Sequence, residues 1–273
     1  MNYKIVATDL DGTLLNTDQL VSPENEAAIK ELTQMGVHVV ASTGRSLWEM
    51  PPEVRDNPYI RFIIHTDGAS IYDKQTKKNI NIPMTRAETD KMLDILSQYE
   101  TSSSVRYDGW CFVDKNKHND EDYAYNRVNP TYAAHLYRYA KEVDDLEKFS
   151  RELDSMDMIC TFFHTDAERI ECTARFEKEP EFQVASSVPN NIEVFSIKAG
   201  KGNALYMLAD MLGIDRNATI AVGDTTNDSQ ALECAGLSLA MANSVPELKE
   251  LADEVICDNN NHAIKYILDH YFK

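Results

Sequence analysis

The fold is decided by the segment YKIVATDLDGT, which occupies residues 3–13. Its mostly apolar first half predicts a buried strand that runs directly into an acidic turn. A helix is expected next, because Ser22 is a good N-cap, Pro23 suits the first helical position and Gly36 supplies a stop. A second short apolar strand follows over 37–41. Strand, helix and strand with buried-type strands predict a βαβ unit in a parallel sheet.

The same alternation of apolar strands and amphipathic helices returns in the last third of the chain. The predicted elements outside the first unit are strands over 61–65, 218–222, 237–240 and 254–257 and helices over 203–212 and 262–270. Both ends of the chain therefore contribute to one sheet.

The middle of the chain has a different character, since its acidic and aromatic content rises. Tyr107-Asp108-Gly109 predicts a hairpin turn between two short apolar segments. Strands are predicted over 103–106, 110–113, 156–163, 182–188 and 192–197, helices over 87–99, 131–153 (whole or broken) and 167–176, and a polar loop over 116–122. We therefore expect an α/β fold, with a doubly wound parallel-sheet (Rossmann-like) core from 1–84 and 190–273 and an α+β cap domain inserted at 85–189.

Composition excludes several classes of protein. The chain has 273 residues, 27 Lys and Arg against 45 Asp and Glu, and a net charge of -18, which disfavours nucleic acid and anionic membranes as partners. No apolar run approaches the ~20 residues that a membrane span needs. The five cysteines form no C-x-x-C pair and their number is odd, so neither a zinc site nor a disulfide framework is expected. The cytoplasm is the expected location.

Asp9 and Asp11 carry the strongest chemical signal, because they directly follow the first strand. Ligands bind at the carboxyl ends of the strands in open parallel sheets. Two carboxylates this close repel each other unless a cation is present, and Mg²⁺ prefers hard oxygen ligands. A plain Asp-Gly turn with surface acids is the alternative, and the buried strand favours the metal site.

Three further motifs occupy comparable positions. Residues 223–228, GDTTND, end another apolar strand and bring a third carboxylate to the same sheet edge. Residues 42–44, STG, offer a hydroxyl and backbone N–H groups to an anion. Residues 200–202, GKG, place a lysine at a helix start, where the dipole already favours anions. Alone, each motif could be a turn, a helix cap or a solvated lysine, but together they are the equipment of phosphoryl transfer.

The four motifs, in this order, resemble those of the haloacid dehalogenase (HAD) superfamily of phosphatases, and the resemblance is close to its Cof-type branch. It rests on residues 9–13, 42–45, 201–202 and 223–228, so it spans both ends of the chain. In that branch the middle of the chain is a large type IIB α/β cap. The resemblance implies Mg²⁺ as the cofactor.

The resemblance also implies a role for each site residue. Asp9 would be the nucleophile and a metal ligand, and Asp11 would be the general acid/base and would give its backbone carbonyl to the metal. Asp224 would complete the metal site, with Asp228 supporting it. The expected phosphate contacts are Leu10, Thr43, Gly44, Lys201 and Asn227.

Two positions depart from the family pattern, which usually has Asn-Gly-Ala at 67–69 and Met-Gly-Asn at 241–243. This chain has Asp67 and Ala242 instead, and the change at Asp67 leaves local substrate contacts open. In the predicted cap, tyrosines and a histidine cluster within 123–139. They could form an aromatic platform for a substrate, although a packed, half-exposed helix is the commoner explanation.

We expect Mg²⁺-dependent hydrolysis of small phosphomonoesters, sugar phosphates or related metabolites, through an aspartyl-phosphate. A phosphomutase would use the same motifs. A non-enzymatic phospho-aspartate signalling module also clusters acids, a threonine and a lysine at a sheet edge, but the chain length, the inserted cap and Asp11 argue against it. The expected partner is a small phosphorylated metabolite, with no nucleic acid and no membrane.

Overall fold

The computed structural model describes residues 3–273, which form two compact units. The core unit contains the residues up to Gly44 together with Met50–Ile80 and Gly200–Lys273. The cap unit contains Arg45–Glu49 and Asn81–Ala199. The cap predicted at 85–189 lies within this second unit, which extends further at both ends and also takes in the short segment 45–49.

The strands and helices of the described residues are numbered here in chain order. The strands are β1 (Ile5–Thr8), β2 (His38–Ser42), β3 (Phe62–His65), β4 (Ser70–Asp73), β5 (Lys78–Asn81), β6 (Met84–Thr85), β7 (Thr101–Tyr107), β8 (Trp110–Asp114), β9 (Lys141–Val143), β10 (Ser155–Met156), β11 (Met158–Phe163), β12 (Phe182–Ala185), β13 (Asn191–Ser196), β14 (Thr219–Gly223), β15 (Leu237–Ala240) and β16 (Glu254–Val255). The helices are α1 (Pro23–Gln34), α2 (Pro52–Arg55), α3 (Arg86–Leu96), α4 (Asp120–Tyr125), α5 (Pro130–Tyr139), α6 (Leu146–Glu152), α7 (Asp166–Phe176), α8 (Lys201–Leu212), α9 (Ser229–Cys234), α10 (Pro246–Leu251) and α11 (Ala263–Tyr271). Short 3₁₀ turns lie at Leu47–Glu49, Thr66–Gly68, Arg216–Ala218 and Thr226–Asp228.

The core unit contains an eight-stranded sheet in the order β16-β15-β14-β1-β2-β3-β4-β5. The six strands from β16 to β3 are parallel, and β4 pairs antiparallel with β3. All four residues of β1 are buried, as expected for a central strand covered on both faces. The predicted α/β fold with a large parallel sheet is confirmed.

Three helices of the core unit, α1, α8 and α11, form where the sequence predicted them. Ser22 accepts a hydrogen bond from the Asn25 backbone N–H at 3.2 Å and caps α1. Leu205 and Leu208 bury one face of α8 in the apolar core cluster, and Gly213 ends this helix in the left-handed conformation. These caps fix where α1 begins and where α8 ends.

The cap unit has a six-stranded sheet in the order β12-β13-β11-β7-β8-β9. Asp108 and Gly109 have φ values of 49° and 77° between β7 and β8, as the two-residue hairpin turn requires. The strand predicted over 192–197 forms β13 and pairs with β11 and β12, which places it in the cap unit.

The cap unit decides one open alternative and corrects one prediction. The predicted helix over 131–153 is broken into α5, β9 and α6, because the chain turns extended after Tyr139 and β9 pairs parallel with β8. The predicted polar loop over 116–122 is partly helical, since Asn119 caps α4 by accepting from the Asp122 backbone N–H at 2.9 Å.

Among residues 3–273, no helix combines the length and the apolar character needed to cross a membrane.

Candidate active site

The predicted site residues lie at the carboxyl ends of neighbouring core strands. Asp9 follows β1, Thr43 and Gly44 follow β2, and Asp224 follows β14. Because β1 lies between β14 and β2 in a parallel arrangement, these strand ends share one edge of the sheet. The topology therefore brings together motifs that are more than 200 residues apart in sequence, such as Thr13 and Asp224.

An acidic cluster lies at this edge. Carboxylate oxygens of Asp9, Asp224 and Asp228 lie within 4.8 Å of one another, and all three residues are buried. Asp11 is half-buried two residues beyond Asp9. Gly12 makes the cluster possible, because a Cβ there would lie 2.3 Å from Asp224 Oδ2.

The two oxygens of Asp228 are already engaged within the protein. Oδ2 accepts from the backbone N–H of Asp224 at 3.0 Å and of Thr225 at 3.3 Å. Oδ1 accepts from Lys201 Nζ at 2.6 Å. This arrangement suits a residue that shapes the loop and positions Lys201, and it leaves the oxygens of Asp9 and Asp224 better placed for a ligand.

Lys201 supplies positive charge to the cluster. It begins α8, is 1% exposed, and donates to Asp9 Oδ1 at 2.8 Å as well as to Asp228. Gly200 precedes it with φ 113°, and Gln230 Oε1 accepts from the Gly202 backbone N–H at 3.0 Å. The lysine is therefore fixed by both its backbone and its ammonium group.

Burial and mutual repulsion raise the pKa values of carboxyl groups in the cluster. Burial raises the pKa of Asp9 well above its ordinary value, although Lys201 acts to lower it. Burial and the charge of Asp228 raise the pKa of Asp224 to about 7. One lysine does not neutralise this many aspartates.

The residues present fit a divalent cation. Their ligand atoms are hard oxygens, and a bound cation would lower the pKa of each carboxyl that it contacts. Asp9 and Asp224 are the members of the cluster that would hold such an ion. The contact expected from the backbone carbonyl of Asp11 stays a prediction. Nothing in this donor set favours a softer metal.

The expected phosphate contacts lie around the cluster. Thr43 is buried, and its carbonyl accepts from the Asp67 backbone N–H at 3.1 Å. Asn227 is half-buried, and its Oδ1 accepts from Thr225 Oγ1 at 2.6 Å. The Leu10 side chain is fully buried, so a contact from this residue can come only from its backbone.

Sequence reasoning gave no role to three supporting residues. Thr13 Oγ1 donates to Asp224 Oδ1 at 3.3 Å, and its position inside the first motif was the available signal. Gln230 holds the start of α8, but no local pattern marks it. The Asp67 carboxylate accepts from Asn227 Nδ2 at 3.2 Å, and its departure from the family pattern was the signal.

In the cap unit, part of the tyrosine and histidine cluster joins a buried charge network, while other tyrosines of the cluster are nearly half exposed. Tyr132 accepts from Arg106 Nη2 at 2.6 Å, and His135 Nε2 lies 3.1 Å from Glu49 Oε1. Tyr123 is also buried. These three side chains belong to the packing of the unit.

Comparison with known proteins agrees with the fold. The haloacid dehalogenase-like hydrolase family matches residues 6–268. Phosphatase YwpJ of Bacillus subtilis is 30% identical, covering 98% of this chain and 99% of the relative. The 5-amino-6-(5-phospho-D-ribitylamino)uracil phosphatase YcsE of the same organism is 29% identical, covering 99% and 96%. A solved haloacid dehalogenase-like hydrolase from B. subtilis superposes with a TM-score of 0.84 at 26% identity, covering 98% and 99%.

The match spans nearly the whole chain, and it includes both halves of the core sheet and the unit between them. An enzyme is therefore favoured over the signalling module. The chain belongs to the haloacid dehalogenase-like hydrolase family, as a phosphatase of the Cof type.

Proposed function

We propose that this phosphatase hydrolyses small phosphomonoesters with Mg²⁺ as cofactor, through an aspartyl-phosphate on Asp9. One observation carries the proposal. The Asp9 carboxylate lies at the end of β1, 2.8 Å from Lys201 Nζ and in one cluster with Asp224 and Asp228. A nucleophile in that position has a permanent cation beside it and the donor set for a metal.

The first half-reaction transfers the phosphoryl group to the enzyme. An Asp9 carboxylate oxygen attacks phosphorus while the bond from phosphorus to the leaving oxygen breaks. Asp11 donates its proton to that oxygen, so the leaving group departs as an alcohol. Bound Mg²⁺ would screen the repulsion between the carboxylates and the phosphoryl oxygens.

The second half-reaction regenerates the enzyme. Asp11 accepts a proton from a water molecule as the water oxygen attacks phosphorus. The bond between phosphorus and the Asp9 oxygen then breaks, which releases inorganic phosphate and restores the carboxylate. Dividing the hydrolysis this way replaces one very high barrier by two lower ones.

Lys201 is proposed to neutralise the transferring group. Burial acts to lower its pKa, but the carboxylates of Asp228, Asp9 and Asp67 together raise that pKa well above its ordinary value. The ammonium is therefore charged at every working pH. Thr43, Gly44 and Asn227 are proposed to hold the phosphoryl oxygens from the neighbouring loops.

The substrate class is proposed from the relatives. The substrate in the name of the B. subtilis enzyme YcsE carries its phosphate on a ribityl chain. We therefore propose phosphorylated sugars, sugar alcohols or related small metabolites. All five cysteines are free, three of them buried, which supports a reducing compartment such as the cytoplasm.

The test separates the two aspartates of the first motif. Asp9→Asn keeps the shape but loses the nucleophile, so it should give neither turnover nor a phosphoenzyme. Asp11→Asn keeps the nucleophile and loses the proton donor. With p-nitrophenyl phosphate, whose leaving group needs little protonation, it should form the phosphoenzyme in a burst and then stall.

Rapid quench followed by mass spectrometry of the Asp9 peptide measures both effects. General acid/base groups contribute about 10²–10⁴-fold, so the stall should be clear. Asp154→Asn, a change of the same type at an exposed position of the cap unit, is the control and should behave as wild type. A phosphoenzyme in Asp9→Asn, or wild-type turnover in Asp11→Asn, would contradict the assignment.

A further inference from the structure

The loop after β3 has an unusual backbone. Thr66, Asp67 and Gly68 have φ values of 54°, 47° and 81°, so three successive residues lie in the left-handed region. This region is unfavourable for a β-branched residue such as threonine. Such strain persists only where the surroundings impose it, and it is concentrated at functional sites.

The surroundings of this loop are other parts of the site. The Asp67 backbone N–H donates to the Thr43 carbonyl at 3.1 Å. A Cβ on Gly68 would lie 2.2 Å from the Gly200 carbonyl oxygen, directly before Lys201. The left-handed run therefore places Asp67 between the β2 loop and the start of α8.

The Asp67 side chain is directed into the group of expected phosphate contacts. It is 1% exposed, and its Oδ1 accepts from Asn227 Nδ2 at 3.2 Å. Both carboxylate oxygens lie 3.2 Å from where a Cβ on Gly44 would be. A buried carboxylate among groups that hold an anion is unfavourable for that anion.

The hydrogen bond between Asp67 and Asn227 also fixes the orientation of the Asn227 amide. Asp67 accepts from its nitrogen at 3.2 Å, and Thr225 Oγ1 donates to its oxygen at 2.6 Å. With both ends of the amide held, its rotamer is set before a ligand arrives, and the nitrogen has a second N–H to offer.

We propose that Asp67 is a positioning residue with a second, electrostatic effect. Its hydrogen bond orients Asn227 toward the phosphoryl group. Its charge weakens the binding of inorganic phosphate, so that the product leaves readily. The inference rests on the proposed function and adds how the same site releases its product. Two variants separate the two effects. Asp67→Asn removes the charge and keeps an acceptor oxygen, whereas Asp67→Ala removes both.

The experiment measures steady-state hydrolysis of p-nitrophenyl phosphate by the full chain with Mg²⁺, and its inhibition by added inorganic phosphate. Asp67→Asn should lower the inhibition constant for phosphate about tenfold or more, since a neighbouring like charge is gone. Asp67→Ala should lose about tenfold in kcat relative to Asp67→Asn, because Asn227 is no longer oriented. Asp154→Asn should leave both parameters as in wild type.

Each outcome bears on a different statement. If wild type releases no phosphate with Mg²⁺, the proposed function fails, and the variants are not needed to show it. If wild type is active but Asp67→Asn has an unchanged inhibition constant, the electrostatic effect is wrong. If Asp67→Ala and Asp67→Asn have equal kcat values, with thermal melts showing that both are folded, the positioning role is wrong. Intact mass should accompany each assay, because an Asn-Gly pair can deamidate back to Asp-Gly.

Discussion

Replacing Glu49 by glutamine should destabilise the cap unit strongly, because it leaves a buried arginine without its counter-charge. Arg106 on β7 is 2% exposed and Glu49 is 1% exposed. Arg106 Nη2 lies 3.0 Å from Glu49 Oε1, and Nε lies 3.2 Å from Oε2. The Ser46 backbone N–H donates to the same carboxylate at 2.8 Å.

The electrostatics of this pair set the size of the effect. Burial acts to raise the pKa of Glu49, but Arg106 and His135 outweigh it and hold that pKa well below its ordinary value. Both groups of the pair are therefore charged. Removing one member of a buried ion pair costs about 3–5 kcal/mol. For a unit of this size, a melting temperature should fall by roughly 10 °C or more.

A matched control is available in the same unit. Glu147 on α6 also lies 3.0 Å from an arginine, Arg151, but its side chain is 55% exposed. Glu147→Gln should change the free energy of unfolding by about 0.5 kcal/mol or less. Urea denaturation followed by tryptophan fluorescence suits both variants, because Trp48 and Trp110 stack within the cap unit at 5.1 Å.

A double variant tests whether charge or packing is responsible. Glu49→Leu combined with Arg106→Met removes both charges and should be less destabilising than Glu49→Gln alone. The reasoning is refuted if Glu49→Gln is no more harmful than Glu147→Gln. It is also refuted if the double variant loses as much stability as the single one.

Two further predictions concern the metal and pH. EDTA should abolish phosphate release, and added Mg²⁺ should restore it. Ca²⁺ should be much less effective, because it prefers more ligands and looser geometry. Full activity in EDTA would contradict the metal assignment. Asp157 is buried, and its Oδ2 has no hydrogen-bond partner among residues 3–273. Burial, with the charge of Asp108, raises the pKa of Asp157 to about 7. From about pH 4 to 7 the folded state therefore holds a proton that the unfolded state has lost. The free energy of unfolding falls as pH rises through this range. Between pH 5 and 8 the free energy of unfolding of wild type, measured by urea denaturation, should fall by about 2–3 kcal/mol relative to that of Asp157→Asn. If the two free energies change with pH in parallel, Asp157 does not titrate in this way.

Much of the fold could be predicted because its signals are local. Each of these signals depends on a few consecutive residues: the apolar segment followed by an acidic turn, the serine cap before Pro23 and the helix stop at Gly36. The hairpin at Asp108 and Gly109 was predictable for the same reason, since only a few residue types adopt its backbone. The order of these signals was enough to predict an α/β core with an insertion.

Local signals could not decide whether the helix over 131–153 is whole or broken. The segment has helix-forming composition throughout, and β9 exists because β8 offers it a parallel edge. Pairing with a distant strand overrides local propensity, and the same holds for β13, which joins the cap sheet through β11 and β12.

For the site, the sequence determined which chemical groups are present, and the tertiary structure decided which of them meet. The aspartates, the lysine and the Thr43-Gly44 turn were evident from their places beside predicted strands and helices. Strand order and loop conformation decide three contacts that the sequence did not show. Lys201 contacts Asp9 across 192 positions, backbone N–H groups donate to Asp228, and Asp67 accepts a hydrogen bond from Asn227. Side-chain contacts between distant segments depend on sheet register and backbone dihedrals to within an ångström, and no local pattern of residues encodes them.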